Sequence, residues 1–315
     1  MNAFFALFRH AVRADAESTV SFGVAMTTIP VRFSSIHNTI RSWLSQEFPP
    51  DVIVISIPKK YKRFKRKKNR SGNLESNRAA VLRNLKMEGI MVEKIVLIET
   101  SHDFGPATKF AGLLTVYSHN SFEISMPDYW IIGDDDVHYS STTISRYYFA
   151  LHSRLNPVSS AIESTGFTHF SKDIRIRLQL PDGRSKSIIH VQGVDTFMLS
   201  NRLLLQHNAS DSALSYDSFK RLLDFFHSTC PESFYQDDYI ISLAFSFASL
   251  KIVSLWNNDN VAKHVEGVSK SHSQMHMHKD VFMREEKTKD CVRQHAVSAY
   301  KLIENQRINP IASEL

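Results

Sequence analysis

Apolar runs and polar breaks alternate along the first half of the chain in the order strand, helix, strand. VSFGVAMTTI (20–29) is an apolar run closed by Pro30, and DVIVISIP (51–58) and KIVLIET (94–100) repeat it. Short runs with so little polar interruption predict strands buried on both faces. Between the first two, Ile36, Ile40, Trp43 and Leu44 recur at helical spacing within residues 34–46, behind a serine cap. Residues 75–87 predict a second helix, Pro106 opens a third over 107–118, and DYWIIG (128–133) is a fourth strand. This rhythm predicts a parallel sheet with helices on its faces.

The second half is less regular. Ser141–Leu155 patterns as a helix. IRIRLQL (174–180), a Pro-Asp-Gly turn and SKSIIHV (185–191) predict an antiparallel hairpin. VDTFMLS (194–200) and KIVSLW (251–256) are strands, and 216–229 and QDDYIISLAFSFASL (236–250) are helices. From residue 257 the chain is polar and His-rich, and the pattern assigns it no element. With no linker evident, the expectation is one Rossmann-type α/β domain over 20–256. Its central sheet is mostly parallel and flanked by helices, with a smaller antiparallel hairpin region in the second half. Residues 1–19 form an N-terminal extension, and 257–315 a C-terminal segment that packs on or caps the domain.

Composition alters this picture in one place. The net charge is +6, but KKYKRFKRKKNR (59–70) alone holds nine Lys and Arg; subtracting nine from +6 leaves −3 for the remainder. The basicity belongs to one segment, read as a solvated surface loop. Nucleic acid is therefore not the expected partner, while peripheral contact of 59–70 with a membrane surface stays open. The two cysteines, Cys230 and Cys291, exclude a disulfide framework and a four-cysteine zinc site but permit one bridge. Cys230, beside Pro231, reads as a small buried residue. The apolar stretches at the start and at 239–250 are too short to span a bilayer. The redox compartment stays open, with a cytoplasmic location favoured over a secretory one. Sequons at Asn69 and Asn208 are too common by chance to decide it.

The candidate chemistry centres on WIIGDDDVHY (130–139), where an apolar strand runs directly into Asp134, Asp135 and Asp136. Adjacent carboxylates repel one another, so their placement demands compensation. Ligands of open parallel sheets bind at the carboxyl ends of the strands, where this triplet falls. In an extended segment Asp134 and Asp136 share a face and Asp135 points away. Oxygen ligands so arranged suit Mn²⁺ or Mg²⁺, which would supply the compensation.

Four further features join the triplet. Asp237 and Asp238 open an apolar helix, where carboxylates favour the helix dipole or can act as a general base. DFGPATKF (103–110) joins a turn, a helix N-terminus and Lys109, which reads equally as an anion site or as a solvated lysine. Gly193 in VQGVD permits close approach of a substrate, or marks an ordinary bulge. His264, His272, His276 and His278 read mainly as surface residues, one of which could reach a Mn²⁺ ion.

In this order, TTIPVR, GPATKF, GDDD, VQGVD and YQDD resemble the motifs of GT-A-type glycosyltransferases, the DxD-containing, family-2-like enzymes that use nucleotide sugars. The resemblance spans roughly residues 20–256. It implies a GT-A-like catalytic domain, a UDP- or GDP-sugar donor, a glycan or other hydroxyl acceptor, and Mn²⁺ or Mg²⁺. It places Thr28, Pro30, Arg32, Lys109, Asp134, Asp135 and Gly193 around the nucleotide sugar. Asp136 would hold the metal with Asp134, and His264, then His272, is the late histidine that could join them. Asp238 would be the catalytic base, with Asp237 as its alternative, and direct action by Asp238 implies inversion at the anomeric centre. The presence of three aspartates leaves open which one holds the metal.

Two rival readings stand beside this one. A metal-dependent nucleotidyltransferase would usually carry a glycine-rich loop after its first strand, and TTIPVRFSS has no glycine. A non-catalytic protein would bind its partner through 59–70. A DxD phosphohydrolase is disfavoured because His138 stands where that chemistry needs threonine.

Overall fold

The computed structural model describes residues 20–62, 76–119, 125–153, 165–168, 175–179, 185–189, 196–208, 212–235, 237–254, 262–264 and 279–308. Its strands are β1 (Phe22–Thr27), β2 (Val52–Pro58), β3 (Ile95–Thr100), β4 (Tyr129–Ile132), β5 (Val137–Tyr139), β6 (Thr165–Thr168), β7 (Arg175–Gln179), β8 (Ser185–Ile189), β9 (Phe197–Ser200), β10 (Lys251–Ser254) and β11 (Ala262–His264). Its helices are α1 (Ile36–Leu44), α2 (Asn77–Met87), α3 (Thr108–His119), α4 (Thr143–Ser153), α5 (Asn201–Asn208), α6 (Tyr216–Thr229), α7 (Asp237–Phe247) and α8 (Lys279–Ile308).

Seven strands form one sheet in the order β10-β6-β9-β4-β1-β2-β3. Its pairings are parallel except those of β9, which runs antiparallel to both β4 and β6. Outside it, β7 and β8 form the expected antiparallel hairpin, and β5 pairs antiparallel with β11. The architecture is an α/β fold with a mostly parallel sheet flanked by helices.

The strand pattern lacks alternation because both faces of the sheet are covered. Val24, Met26, Ile53, Ile55, Ile57, Ile131 and Met198 enter one core with residues of α1, α2 and α4. Their neighbours Ala25, Val52, Val54, Trp130, Ile132, Phe197 and Leu199 enter the other, with residues of α3, α5, α6, α7 and α8. Phe110 of α3 anchors that second layer, edge-on to Phe219 at 5.0 Å and Phe245 at 5.6 Å between ring centroids. Such contacts add about 0.5–1.5 kcal/mol beyond the area they bury.

The polar tail contains a 30-residue helix, α8, which the pattern did not assign. Val292, Ala296, Ala299 and Ile303 make a narrow apolar stripe along it, buried with residues of α6 and α7. Cys291 on α8 is bonded to Cys230 at the end of α6, with an S–S distance of 2.03 Å. Cys230 is therefore buried, as its sequence context suggested, and the one bridge that two cysteines permit is formed. No helix among the described residues is long and apolar enough to cross a membrane. Gly193, His272, His276, His278, Asn69 and residues 63–70 lie outside the described residues.

Candidate active site

The site forms where the strand order changes direction. β1 pairs with β2 on one side and β4 on the other, so the segments leaving β1 and β4 emerge side by side. The Gly133 N–H donates to the Ala25 carbonyl at 3.1 Å, carrying that pairing past the end of β4. A crevice at such a switch point is where open α/β sheets bind ligands.

Beyond β1 the chain passes Thr28 and an extended Ile29 into a tight turn over Pro30–Arg32, with proline at its start. The turn ends on Arg32, which reaches across to the segment beyond β4. Its Nη1 lies 2.6 Å from Asp135 Oδ1, and its Nη2 lies 2.8 Å from Asp136 Oδ2. Lys109, in the first turn of α3, places Nζ 2.8 Å from Asp134 Oδ1. Among the described residues, Arg32 and Lys109 thus meet all three carboxylates.

This geometry differs from the alternation expected of an extended chain. Residues 135–136 bend between β4 and β5, so Asp135 and Asp136 share Arg32 while Asp134 turns to Lys109. The bend is fixed from several sides. The Thr39 hydroxyl donates to the Asp135 carbonyl at 2.8 Å. The Asp134 N–H donates to the Tyr139 hydroxyl at 2.7 Å, and the Tyr139 ring stacks on Trp43 at 4.1 Å. Gly133 makes that approach possible, because a Cβ there would stand 2.7 Å from the Tyr139 oxygen.

The site is mostly buried, with Arg32 at 17% and Asp134 at 24% side-chain exposure as its most open members. Side-chain exposure is 5% for Asp135, 9% for Asp136 and 2% for Lys109. Burial works against the Arg32 charge, but the fields of Asp135, Asp136 and Asp134, with the Asp135 hydrogen bond, outweigh it and raise its pKa. Burial first, then the nearby Asp134 charge, pushes the Tyr139 hydroxyl far above its usual range, so it stays protonated. Asp135 Oδ2 is buried without a hydrogen-bond partner, as is the Thr28 hydroxyl.

The remaining motifs frame this centre. Asp103 accepts from the N–H of Gly105 at 2.9 Å and from that of Lys62 at 2.7 Å, joining the segment after β2 to the Gly105–Ala107 turn. Gly105 sits at φ 64, a region open mainly to glycine. The Tyr61 hydroxyl donates to the Thr28 carbonyl at 2.7 Å. Tyr61 and Asp103 are positioning residues that the sequence reading did not single out. A tyrosine inside a basic run and an aspartate before Phe-Gly-Pro were the available signals.

α7, which begins at Asp237, packs against the Gly105–Ala107 turn, so the helix that carries Asp237 and Asp238 lies against the turn that leads to Lys109. Asp238 is half-buried in its first turn, and its carbonyl accepts the Ser242 hydroxyl at 2.6 Å. β11 places the backbone of His264 opposite Val137, the residue after Asp136. Thr196, just after the VQGVD motif, is buried at φ 64 with its hydroxyl 2.8 Å from that of Tyr147. Such a conformation is strained for a β-branched residue. It immediately precedes Phe197, the partner of Ile132 at the end of β4.

His227 of α6 is packed between the rings of Phe234 at 5.1 Å and Phe104 at 6.4 Å, with both ring nitrogens buried and unpartnered. Burial, then the Lys62 charge, lowers its pKa to about 4.

Among the described residues, no group of three or more His, Cys, Asp and Glu is arranged to hold a metal ion. The donors at the triplet nevertheless match a hard cation in chemistry. All are carboxylate oxygens, one is buried and unpartnered, and the triplet with Arg32 and Lys109 keeps a formal charge of −3 + 2 = −1.

No known protein family and no curated protein matches the chain. Similar solved structures include HddC from Yersinia pseudotuberculosis, at 10% identity, covering 60% of this chain and 79% of that one with a TM-score of 0.32. HddC complexed with GMP-PN gives 11% identity, the same coverage and a TM-score of 0.32. The inositol-1-phosphate CTP transferase from T. maritima gives 9% identity, 86% of this chain, 97% of that one and a TM-score of 0.37. Likeness at this level carries no argument about function, and the architecture rests on the strand order and pairing described above.

Proposed function

We propose that this protein is a nucleotide-dependent transferase and, within that class, a metal-dependent glycosyltransferase. It moves a sugar from a UDP- or GDP-sugar to the hydroxyl of a glycan or other acceptor. The observation that carries this reading is the mostly buried charge cluster at the β1–β4 switch point, where Arg32 and Lys109 face Asp134, Asp135 and Asp136. A site holding fixed cations and carboxylates together suits a ligand that brings an anionic diphosphate and a divalent cation.

Thr28, Pro30 and Arg32 line the nucleotide side, and Lys109 stands ready for the diphosphate. Gly193 belongs to the donor side by its motif. Asp136 and Asp134 would hold Mn²⁺ or Mg²⁺, with Asp135 beside them and His264 as the further ligand. When bound there, such an ion would supply positive charge against that developing on the leaving diphosphate. Asp238 takes the proton of the attacking hydroxyl, with Asp237 as its alternative, and direct attack inverts the anomeric centre. The Cys230–Cys291 bridge supports a compartment oxidising enough to keep it, against the cytoplasmic expectation.

The test is a panel of nucleotide sugars assayed with Mn²⁺ for release of nucleoside diphosphate. Release by the wild type, lost in Asp238→Asn with nucleotide affinity retained, is the expected result. Turnover of a nucleoside triphosphate and a sugar phosphate to pyrophosphate, with no diphosphate release from any nucleotide sugar, identifies a nucleotidyltransferase instead.

A further inference from the structure

The acidic triplet already has cationic partners. Arg32 bridges Asp135 and Asp136 at 2.6 and 2.8 Å, and Lys109 holds Asp134 at 2.8 Å. Asp135, Asp136 and Lys109 are almost wholly buried and Arg32 and Asp134 only partly exposed, so these pairs are largely shielded from water and attract more strongly than surface pairs. A dication entering the free protein meets two fixed positive charges and must compete for the carboxylates they hold. Asp135 Oδ2 stands outside that competition, being buried with no hydrogen-bond partner.

We infer that Arg32 and Lys109 are exchangeable counter-cations. In the free protein they occupy the triplet and keep its metal affinity low; on nucleotide binding they pass to the diphosphate and release carboxylate oxygens to the metal. The inference rests on the reading of this crevice as a nucleotide-sugar site. Its physical basis is charge alternation. Ion alone sets like charges together, and diphosphate alone sets its anion beside three carboxylates. Ion and diphosphate together give every charge an opposite neighbour. Binding of the two is therefore cooperative, and by linkage each tightens the other by the same factor.

The test measures Mn²⁺ affinity by calorimetry, alone and in the presence of UDP or GDP, for the wild type, Lys109→Met and Arg32→Lys. Wild type is expected to bind Mn²⁺ weakly alone and at least about tenfold more tightly with nucleotide, within the usual range of allosteric coupling. Lys109→Met is expected to bind Mn²⁺ alone about fivefold or more tightly than wild type, with weaker nucleotide binding and reduced coupling. Arg32→Lys keeps the charge but loses the planar fork that spans two carboxylates, so it shifts the same way by less. Thermal melts establish that each variant is folded, and Lys109→Gln replaces Lys109→Met where the latter is not.

Gain of metal affinity on removing a cation is the decisive sign. Cooperative binding in the wild type with no gain in either variant overturns the exchange and leaves the proposed function standing. Absence of Mn²⁺ binding in the wild type with either nucleotide overturns both.

Discussion

The C-terminal edge of the sheet and the face covered by α6, α7 and α8 are held together by different forces. At the β1–β4 junction the contacts are ionic: Arg32 and Lys109 against three aspartates, aligned by Thr39 and Tyr139. On the side of α6, α7 and α8 the contacts are aromatic and covalent. Phe110 packs on Phe219 and Phe245, His227 sits between two phenylalanines, and Cys230 is bonded to Cys291. Ion pairs can change partners when a charged ligand arrives, whereas ring packing and a disulfide keep their arrangement. The first side suits a ligand that brings charge, and the second suits a rigid wall carrying Asp238.

That division can be broken by mutation. The largest effect is expected for Arg32→Met, which leaves two buried carboxylates without their shared cation. Loss of one partner from a buried pair costs about 3–5 kcal/mol, to be read from urea unfolding, and nucleotide affinity should fall as well. Removing the disulfide by Cys230→Ser with Cys291→Ser should lower stability by about 2–4 kcal/mol. It should leave nucleotide affinity close to wild type, since the bridge joins α6 to α8. If the disulfide variant loses nucleotide affinity as severely as Arg32→Met, the two sides are not separate in function.

A smaller effect follows from His227. Its folded-state pKa of about 4 lies below the ordinary 6.5, so the unfolded chain binds its proton first. Its contribution to stability is full above pH 6.5 and is lost progressively as pH falls toward about 4. His227→Phe, which keeps the ring packing and removes the titration, should flatten that part of the stability profile while leaving the ionic side unchanged. An unaltered pH profile would show that this histidine is not held neutral by its aromatic surroundings.

Much of the fold was legible because its signals are local. The strands β1 to β4 are apolar runs with breaks on either side, and the hairpin carries its own turn. The reversed direction of β9 was not, because direction depends on which strands become neighbours. β5 and β11 are three-residue pairings with no pattern to detect, and the narrow stripe of α8 is diluted by charged positions. At the site, the triplet and Lys109 stood out by residue type. The Arg32–Asp135 pair did not, because 103 residues separate its members. The assumption of an extended chain through 134–136 also hid the bend that divides the carboxylates between two cations.

In the proposed function a nucleoside diphosphate and a divalent ion bind together at the acidic triplet. The most direct test is calorimetric titration of UDP and GDP into wild type and Asp136→Ala, with and without Mn²⁺. Mn²⁺ is expected to tighten binding of at least one nucleotide to the wild type, and Asp136→Ala to lose this dependence. Equal affinity with and without the ion in the wild type, or full retention of the metal effect in Asp136→Ala, would contradict it.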